Sequence, residues 1–321
     1  MVVLGTWNLE NLFRPGEASG PTSEEAYRGK LAGLAATING ATPDVLGVQE
    51  VGSPQALGDL VELLHGDWHV ALSEHFDAHR TIRVGVLSRH PIDVVQDVAD
   101  LPERLAPVHT DDDLTKVTTK MGRGALAVQV ELVTGEAITV VVVHLKSKLV
   151  TYPAPPGKKR FSPRDEGERA RYSAYALNRR AAEAVTVRAL ADDLLDGQGI
   201  ARPLVVLGDL NDEPQAATTQ VLLGPPGSEI GTAGERRPDA GDAWRLWNLA
   251  PLIRDVERYS RIYRGRQELI DHILVSRTLL DRVSQVRVIV DRTLPSITDN
   301  PTERRNARDS DHAPVLATLN L

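Results

Sequence analysis

Six short polar motifs in this chain each stand at the end of a run of β-branched residues. A rigid sheet that presents carboxylates, amides and imidazoles at its strand ends supplies the groups that metal-assisted phosphoryl transfer needs. The motifs are Trp7-Asn8-Leu9-Glu10, Gln49-Glu50, His144-Leu145-Lys146-Ser147, Gly208-Asp209-Leu210-Asn211-Asp212, Ile270-Asp271-His272 and Ser310-Asp311-His312. Their residue types indicate an enzyme.

A phosphodiester is hard to hydrolyse because its oxygens repel nucleophiles and its alkoxide leaving group is poor. A divalent cation held by carboxylates relieves both problems, and Glu10 and Glu50 are candidate ligands for one. Asp209 and Asn211, two positions apart near one strand tip, suit the side of the nucleophile. There a carboxylate accepts a proton from water while an amide orients that water.

Imidazoles offer a third kind of group, since an imidazolium stabilises negative charge on a non-bridging phosphate oxygen. His144 and His312 are both candidates, and Asp271 is suited to orient one of them. Each motif taken alone also has an ordinary interpretation as a solvated turn or a helix cap. Six of them together favour a site.

Length and composition predict one domain over residues 1–321, because 41% hydrophobic content can fill one large core and no Pro/Gly/Ser-rich linker divides the chain. No stretch approaches the ~18 apolar residues of a membrane span, and no basic region or cleavage site follows Met1. We therefore expect a cytoplasmic protein without an export signal, and we take it to be a monomer. Without cysteine, any metal has only oxygen and imidazole ligands, which favours Mg²⁺, Mn²⁺ or Ca²⁺ over structural zinc.

The net charge of −7 argues against a protein that holds nucleic acid by bulk electrostatics. The charge is uneven, however. Residues 158–188 hold nine Lys or Arg against four acids, and residues 254–266 hold five Arg against two acids. These two segments are candidate basic surfaces for a phosphate-bearing ligand, with solvated helix and loop faces as the alternative.

Helices and strands alternate along the chain, but several strands follow one another directly. Capping, periodicity and composition predict three helices, over residues 22–40, 53–66 and 166–196. Surface loops are predicted over residues 99–122, 149–163 and 224–241. The mixture of crossovers and hairpins predicts an α/β fold with two mixed sheets face to face and helices outside.

In their order and surroundings the motifs resemble the endonuclease/exonuclease/phosphatase superfamily, which includes deoxyribonucleases, abasic-site endonucleases, sphingomyelinases and inositol polyphosphate phosphatases. The resemblance runs from Thr6 to Leu319, and its most specific parts are Gly208-Asp209-Leu210-Asn211 and Ser310-Asp311-His312. It implies a four-layered α/β sandwich, in agreement with the architecture predicted above.

The resemblance also implies roles for individual residues. On the metal side, Glu50 would be the principal ligand, Glu10 a second acidic residue beside it, and Asp311 a support. Asn8 and Asn211 would contact the scissile phosphate or order its surroundings.

On the proton-transfer side, the resemblance implies that Asp209 aligns or deprotonates water. His312 would hydrogen-bond the phosphate, with Asp271 as its orienter. His144 would assist the leaving group or the phosphate.

The sequence after His144 is similar to bacterial nuclease-type members, and Lys146 would add a point charge against phosphate. Deoxyribonuclease-type members pair the first histidine with a glutamate on an earlier strand, but residues 82–89 contain no acid here. That departure makes Arg83 a candidate phosphate ligand. Arg123, just before the strand that begins near Gly124, is a candidate of the same kind.

The remaining histidines are predicted to lie outside the chemistry. His75 and His79 have the i, i+4 spacing of a helical metal site, but they fall in a polar loop. Strand alternation points His272 away from Asp271, toward a structural role.

We therefore predict a Mg²⁺- or Mn²⁺-dependent phosphodiester hydrolase, a nuclease acting on DNA or RNA. The first alternative is a phosphatase or phosphodiesterase that acts on a small phosphorylated metabolite or lipid headgroup. The second is a catalytically silent relative that serves as a binding module. The complete set of acids and histidines argues against silence, since a scaffold does not need Glu50, Asp209 and His312 together.

Overall fold

The computed structural model of the protein describes residues 1–17, 19–75, 82–155, 158, 160–227, 229–290, 294–300 and 302–321. Its strands are β1 (Val2–Leu12), β2 (Val45–Val51), β3 (His69–Leu72), β4 (Arg83–Ser88), β5 (Ile92–Asp100), β6 (Val108–His109), β7 (Val117–Thr118), β8 (Lys120–Glu131), β9 (Ala137–His144), β10 (Leu204–Asp209), β11 (Leu246–Asn248), β12 (Arg261–Tyr263), β13 (Arg266–Glu268), β14 (Asp271–Ser276), β15 (Val283–Val288), β16 (Ser296–Ile297) and β17 (Val315–Leu319). Its α-helices are α1 (Glu24–Ala41), α2 (Pro54–Val61), α3 (Glu166–Leu195), α4 (Ala217–Leu223) and α5 (Arg277–Leu280).

Two six-stranded mixed sheets form the body of the molecule. The first sheet has the order β15-β17-β1-β2-β4-β3, and the second has the order β11-β14-β10-β9-β8-β5. Each sheet has one parallel pair at its centre, β1 with β2 and β9 with β10, and the strands that flank these pairs run antiparallel. The carboxyl ends of each parallel pair therefore meet at one edge.

Strand alternation divides the apolar side chains between two layers of packing. In β9, Val140 and Val142 lie in the core between the sheets, whereas Val141 and Val143 pack with residues of α3 and α4. Gly47 of β2 allows the sheets to approach closely, because a Cβ there would lie 2.2 Å from Cδ1 of Leu207.

Helices cover the outer faces of both sheets. The first sheet packs against α1 and α2 through a third apolar cluster, and the second sheet packs against α3 and α4. The helix starts follow from their caps: Ser23, Ser53 and Asp165 each accept a hydrogen bond from a backbone N–H of the first turn. The predicted four-layered α/β sandwich is confirmed.

The structure departs from the sequence-based assignment mainly in short elements. Residues 99–122, predicted as a loop, contain β6, β7 and the beginning of β8. Among the short strands and helices, β11, β12, β13, β16, α4 and α5 were not predicted, because segments of two to seven residues carry too few positions to show a period. None of the described helices combines the length and apolarity that crossing a membrane requires.

Candidate active site

Strand pairing brings polar residues from distant parts of the chain to one edge of the sandwich. Asp209 at the end of β10 lies opposite His144 in the parallel β9 and opposite Asp271 in the antiparallel β14. In the first sheet, β1 and β2 run parallel and deliver Asn8 and Glu50 to the corresponding edge. The chain order of the motifs is scattered, but the sheet topology makes them neighbours.

The buried amide of Asn8 links the two sheets at this edge. Its Nδ2 donates to Glu50 Oε1 at 3.3 Å and to Asp209 Oδ2 at 3.0 Å. Its Oδ1 accepts from the backbone N–H of Glu10 at 2.9 Å, which determines which way the amide faces. Glu50 and Asp209 are thereby held within reach of a common ligand.

Asp209 is 1% exposed, and its carboxylate is fixed from one side. Oδ1 accepts from the Asn211 backbone N–H at 2.9 Å, so Oδ2 is left to face the other polar groups of the site. Burial and the charge of Asp271 raise the pKa of Asp209 to about 6, against the opposing charges of His312 and Arg261. A carboxylate tuned in this way is suited to accept a proton near neutral pH.

Gly208 explains how β10 reaches this position. Its φ is +148°, and a Cβ at this residue would lie 2.0 Å from the carbonyl oxygen of Val143 in β9. Any side chain here would push β10 away from β9 and displace Asp209 from His144. The Gly-Asp pair is therefore required by backbone contact as well as by chemistry.

The two predicted catalytic histidines approach the same carboxylate oxygen. His144 Nε2 lies 3.4 Å from Asp209 Oδ2 and 4.0 Å from Glu50 Oε1. His312 Nε2 lies 4.0 Å from Asp209 Oδ2. Both imidazoles are buried, so their positions are set by packing.

His312 is bonded to Asp271, the orienter that the family resemblance implied. Its Nδ1 and Asp271 Oδ2 are 2.7 Å apart, the distance of a charge-assisted hydrogen bond. Burial alone would lower the pKa of His312, but the charges of Asp271, Asp311 and Asp209 raise it to about 10. The imidazole is therefore a cation with its Nε2 turned toward the site.

Glu10 has different partners from Glu50. Arg304 binds both of its oxygens, at 2.8 and 3.0 Å, and the backbone N–H of Asp311 donates to Oε2 at 3.0 Å. Burial and the charge of Asp311 raise the pKa of Glu10, while Lys30 and Arg304 oppose this. Glu10 and Asp311, both predicted on the metal side, thus lie next to each other, with Arg304 between Glu10 and Asp309.

Four site residues other than glycine adopt left-handed backbone conformations. They are Glu10, Asn11, Glu50 and Asn211, with φ between 49° and 60°. This conformation is unfavourable for residues with a Cβ and is typically retained at functional sites. At Glu50 it turns the carboxylate back so that Oε2 accepts from the Asn11 backbone N–H at 2.9 Å.

The donor set at this edge fits a hard divalent cation. Glu50 is the partly exposed carboxylate, and among the described residues the buried Asp271 Oδ1 has no hydrogen-bond partner. One oxygen or nitrogen from each of Asp209, Asp271 and His312 also lies within 4.8 Å of the others. The Nδ1 of His312 is already bonded to Asp271, and carboxylate oxygens are the ligands that hard divalent cations prefer, so the carboxylates are the residues that would hold a metal.

The predicted phosphate ligands lie around the catalytic residues at varying depth. Arg83 begins β4, where it pairs with Val51 next to Glu50. The buried Arg123 donates through Nη1 to the Leu145 carbonyl oxygen at 3.2 Å. Lys146 Nζ donates to the carbonyl oxygens of Ser147 and Leu149, at 2.8 and 2.9 Å.

Three basic residues near the site were not predicted individually. Arg304 binds Glu10, Lys30 of α1 donates to the Glu10 carbonyl oxygen at 2.5 Å, and Arg261 adds positive charge near Asp209. Arg261 is brought there by a β-bridge with His312. For Arg261, the only signal in the sequence was the density of arginine in residues 254–266. A charge count does not identify which of these side chains points into the fold.

The two segments predicted as basic surfaces are largely ion-paired. In residues 158–188, six arginines have carboxylate partners, in the pairs Arg160–Glu168, Arg169–Glu166, Arg171–Asp112, Arg179–Glu183, Arg180–Asp212 and Arg188–Asp192. Four of the five arginines in residues 254–266 are paired as well. Lys159 lies outside the described residues.

The other histidines lie away from the cluster or outside the described chain. His272 Nδ1 faces the Asn248 amide at 3.2 Å, and its Nε2 faces the Asp212 carbonyl oxygen at 2.9 Å. His75 Nε2 faces the carbonyl oxygen of Asp97. His79, the second member of the i, i+4 pair, is not among the described residues.

Comparison of the fold with solved structures gives matches over the full length of this chain. The chain is similar to a mannosyl-6-phosphatase of Bacteroides thetaiotaomicron VPI-5482, with 14% identity, TM-score 0.56 and 100% of both chains covered. It is similar to truncated Caenorhabditis elegans TDP2, with 14% identity, TM-score 0.56, and 100% and 98% covered. It is also similar to the 3′ phosphatase NExo from Neisseria bound to a product DNA hairpin, with 19% identity, TM-score 0.53 and full coverage of both chains.

Identities this low support the fold alone. A search of curated protein sequences found no match. The model of the endonuclease/exonuclease/phosphatase family, in contrast, matches residues 5–312, which include every motif of the site. The chain therefore belongs to the endonuclease/exonuclease/phosphatase family.

Proposed function

We propose that this protein is a divalent-metal-dependent phosphodiesterase that hydrolyses DNA or RNA. The observation that carries the proposal is the set of polar groups around Asp209. Its Oδ2 lies 3.4 Å from His144 Nε2 and 4.0 Å from His312 Nε2. The Asn8 amide joins it to Glu50. Membership of the family supports hydrolysis of a phosphoester, and family enzymes generally use divalent metal ions.

Glu50 is the residue proposed to hold the metal, with Glu10 and Asp311 as acidic neighbours. Among the described residues, Glu50 Oε1 accepts from the Asn8 amide and Oε2 from the Asn11 backbone N–H, and no described guanidinium bonds to the Glu50 carboxylate. Mg²⁺ or Mn²⁺ is proposed, with Ca²⁺ as the further candidate, and when bound it would neutralise charge on the phosphate and the leaving oxygen.

The nucleophile's side is assigned to Asp209 and Asn211. Asp209 Oδ2 accepts the proton of the attacking water, while the Asn211 N–H keeps Oδ1 turned away. Asn8 and Asn211 are proposed to contact the scissile phosphate. Asn8 is well placed because its Nδ2 already lies between the two carboxylates.

The imidazoles are assigned to the developing negative charge. His312, a cation held by Asp271, would donate from Nε2 to a non-bridging phosphate oxygen. His144 would act on the leaving-group side. Arg83, Arg123 and Lys146 are proposed to bind flanking phosphate oxygens.

A second candidate substrate is a small phosphate ester. The ion pairs that occupy the arginines of residues 158–188 and 254–266 favour it, because they reduce the positive surface that a long polyanion would contact. Both candidates use the same chemistry at Asp209.

A parallel hydrolysis screen tests the proposal. Plasmid DNA, single-stranded RNA, bis-p-nitrophenyl phosphate and p-nitrophenyl phosphate are incubated with the protein, with Mg²⁺, Mn²⁺ or EDTA, and with the Asp209→Asn variant as the matched control. We expect metal-dependent cleavage of a nucleic acid that EDTA and Asp209→Asn abolish. Hydrolysis of p-nitrophenyl phosphate alone would favour the small-ester alternative, and no metal-dependent hydrolysis would overturn the proposal.

A further inference from the structure

A cavity of about 210 Å³ lies between the β8 and β9 ends and α3, beside the edge of the sandwich that holds Asp209, His144 and Glu50 (the active edge). Its lining includes three basic and two aromatic residues, namely Arg123, Lys146, Arg179, Tyr172 and Tyr175. The catalytic assignments above use Arg123 and Lys146, but they give no role to the cavity, to Arg179 or to the tyrosines.

The cavity shares a wall with the active site. The Leu145 carbonyl oxygen accepts from Asn211 Nδ2 at 3.0 Å on the catalytic side and from Arg123 Nη1 at 3.2 Å on the cavity side. His144 precedes Leu145, and Lys146 follows it. The cavity and the candidate catalytic residues therefore lie on the two sides of one short segment, residues 144–146.

The cavity lining is positively charged. Among the described residues that line it there are three cations and no carboxylate. Glu183 lies fully buried behind the wall, where it accepts from the backbone N–H groups of Gly122 and Lys146 and from Arg179 Nε. Glu183 thus holds the cavity wall in place. Because the three basic lining residues outnumber this one acid, the net positive charge favours an anionic ligand.

Three tyrosine rings pack together at the aromatic side of the cavity. Tyr172 is buried, and its ring centroid lies 5.5 Å from those of both Tyr152 and Tyr175. Tyr175 is only partly buried, and its hydroxyl donates to Asp112 Oδ1 at 3.1 Å. An aromatic ring with a fixed position and an accessible surface is suited to stack on a flat ligand ring.

We propose that this cavity is a second subsite, which binds the base and the phosphate of the nucleotide next to the scissile phosphate. The inference rests on the proposed function. Stacking on Tyr175 would hold the base, and Arg123, Lys146 and Arg179 would attract the phosphate. The volume lies below the roughly 300–1,000 Å³ of sites that enclose a whole small molecule, so the cavity fits one part of a longer substrate.

Calorimetric titration of the metal-free protein in EDTA tests the subsite without requiring turnover. Adenosine 5′-monophosphate and ribose 5-phosphate carry the same phosphate and sugar, but only the first has a base. We expect the parent to bind the adenosine compound about tenfold more tightly, as base stacking predicts. Tyr175→Leu should lose this preference, whereas Tyr175→Phe, which keeps the ring, should retain it.

Two charge variants separate the cavity from the rest of α3. Arg179→Gln should weaken the binding of both ligands several-fold, whereas Arg169→Gln, on the same helix and outside the lining, should change neither. Equal affinity of the parent for the two ligands would overturn the subsite even if Tyr175→Leu failed to fold. A preference that Tyr175→Leu keeps would also overturn it.

The failure of the subsite and that of the proposed function give different results. Asp209→Asn should keep the adenosine preference while it loses hydrolysis. Nucleic-acid hydrolysis without the preference would reject the subsite alone. The preference without any hydrolysis would reject the proposed function and leave a binding site.

Discussion

The active edge and the flank, residues 160–171 at the start of α3, use the same residue types, but the pKa of a carboxylate is shifted in opposite directions in the two regions. On the flank, Glu168 accepts two hydrogen bonds from Arg160, at 2.8 and 2.6 Å, and this pairing lowers its pKa to about 2. At the edge, burial and Asp271 raise the pKa of Asp209 to about 6. A bonded guanidinium neutralises Glu168, whereas Asp209 has no bonded guanidinium among the described residues and is a carboxylate that a cation would stabilise.

This difference shows why a charge count along the chain does not identify a charged surface. Residues 158–188 have an excess of basic residues, and the sequence left open whether they form a basic surface or solvated faces. In the folded chain, six of their arginines form local and long-range ion pairs. The acidic residues of the edge come from separate strands, so no window of sequence displays them as a cluster. Five predictions follow from the comparison, beginning with the largest effect.

Asp209→Asn should reduce kcat on the order of 10³-fold, because the amide cannot accept the proton of the attacking water. The amide is nearly isosteric with the carboxylate, so the thermal midpoint of unfolding should stay within a few degrees of the parent. Steady-state kinetics and a thermal melt make the comparison. Activity within tenfold of the parent would remove Asp209 from the nucleophile's side.

His312→Ala should reduce kcat on the order of 10²-fold, since it removes a cation aimed at the phosphate. His272→Ala is the matched control, because it removes a buried imidazole next to Asp271 in β14. It should keep activity within a few-fold and lower the free energy of unfolding by about 1–3 kcal/mol, because it leaves the Asn248 amide without its buried partner. Equal losses of activity in the two variants would show that the imidazoles are wrongly assigned.

Glu50→Gln should raise the Mg²⁺ concentration for half-maximal activity by about 10- to 100-fold, because it removes the charge nearest the proposed metal. Glu168→Gln is the matched change on the flank. It should leave the metal dependence unchanged and lower the thermal midpoint, as the Arg160 pair loses its acceptor charge. An equal increase in the half-maximal Mg²⁺ concentration for both variants would contradict the proposal that Glu50 holds the metal.

The pH profile of kcat/KM should show a plateau bounded by Asp209 and His312. Asp209 must be ionised, so activity falls as pH drops below about 6, and His312 must be protonated, so activity falls as pH rises toward about 10. Asp271→Asn removes the charge that does most to raise the pKa of His312. It should move the alkaline limb to lower pH, and an unmoved limb would assign that limb to another group.

The salt dependence of oligonucleotide hydrolysis should change by a small amount when a cavity arginine is replaced, and it should not change when a flank arginine is replaced. Arg179→Gln should reduce the slope of log kcat/KM against log salt by about 0.7, the value for one contact to a single strand. Arg160→Ser should leave the slope unchanged, because Arg160 does not line the cavity, whereas Arg179 does. A flatter slope in Arg160→Ser would mean that the flank contacts the substrate after all.

The sequence by itself determined the set of candidate site residues and the sandwich architecture. Motifs such as Gly208-Asp209 and Asp311-His312 carry their chemistry locally, and strand alternation and helix caps are local properties that periodicity reveals. The residues alone left open whether Asp271 orients His144 or His312, and the family resemblance implied His312, which Asp271 contacts at 2.7 Å.

Only the tertiary structure decided how these groups share their partners. Asn8 spans two carboxylates from different sheets, Arg304 binds Glu10 from 294 residues away, and Tyr175 meets Arg123 across a cavity. Such contacts depend on register and on the approach of separate layers, which a linear pattern does not encode. Electrostatic balance is decided there as well, because burial and the distance to each neighbour set the free energy of a charge.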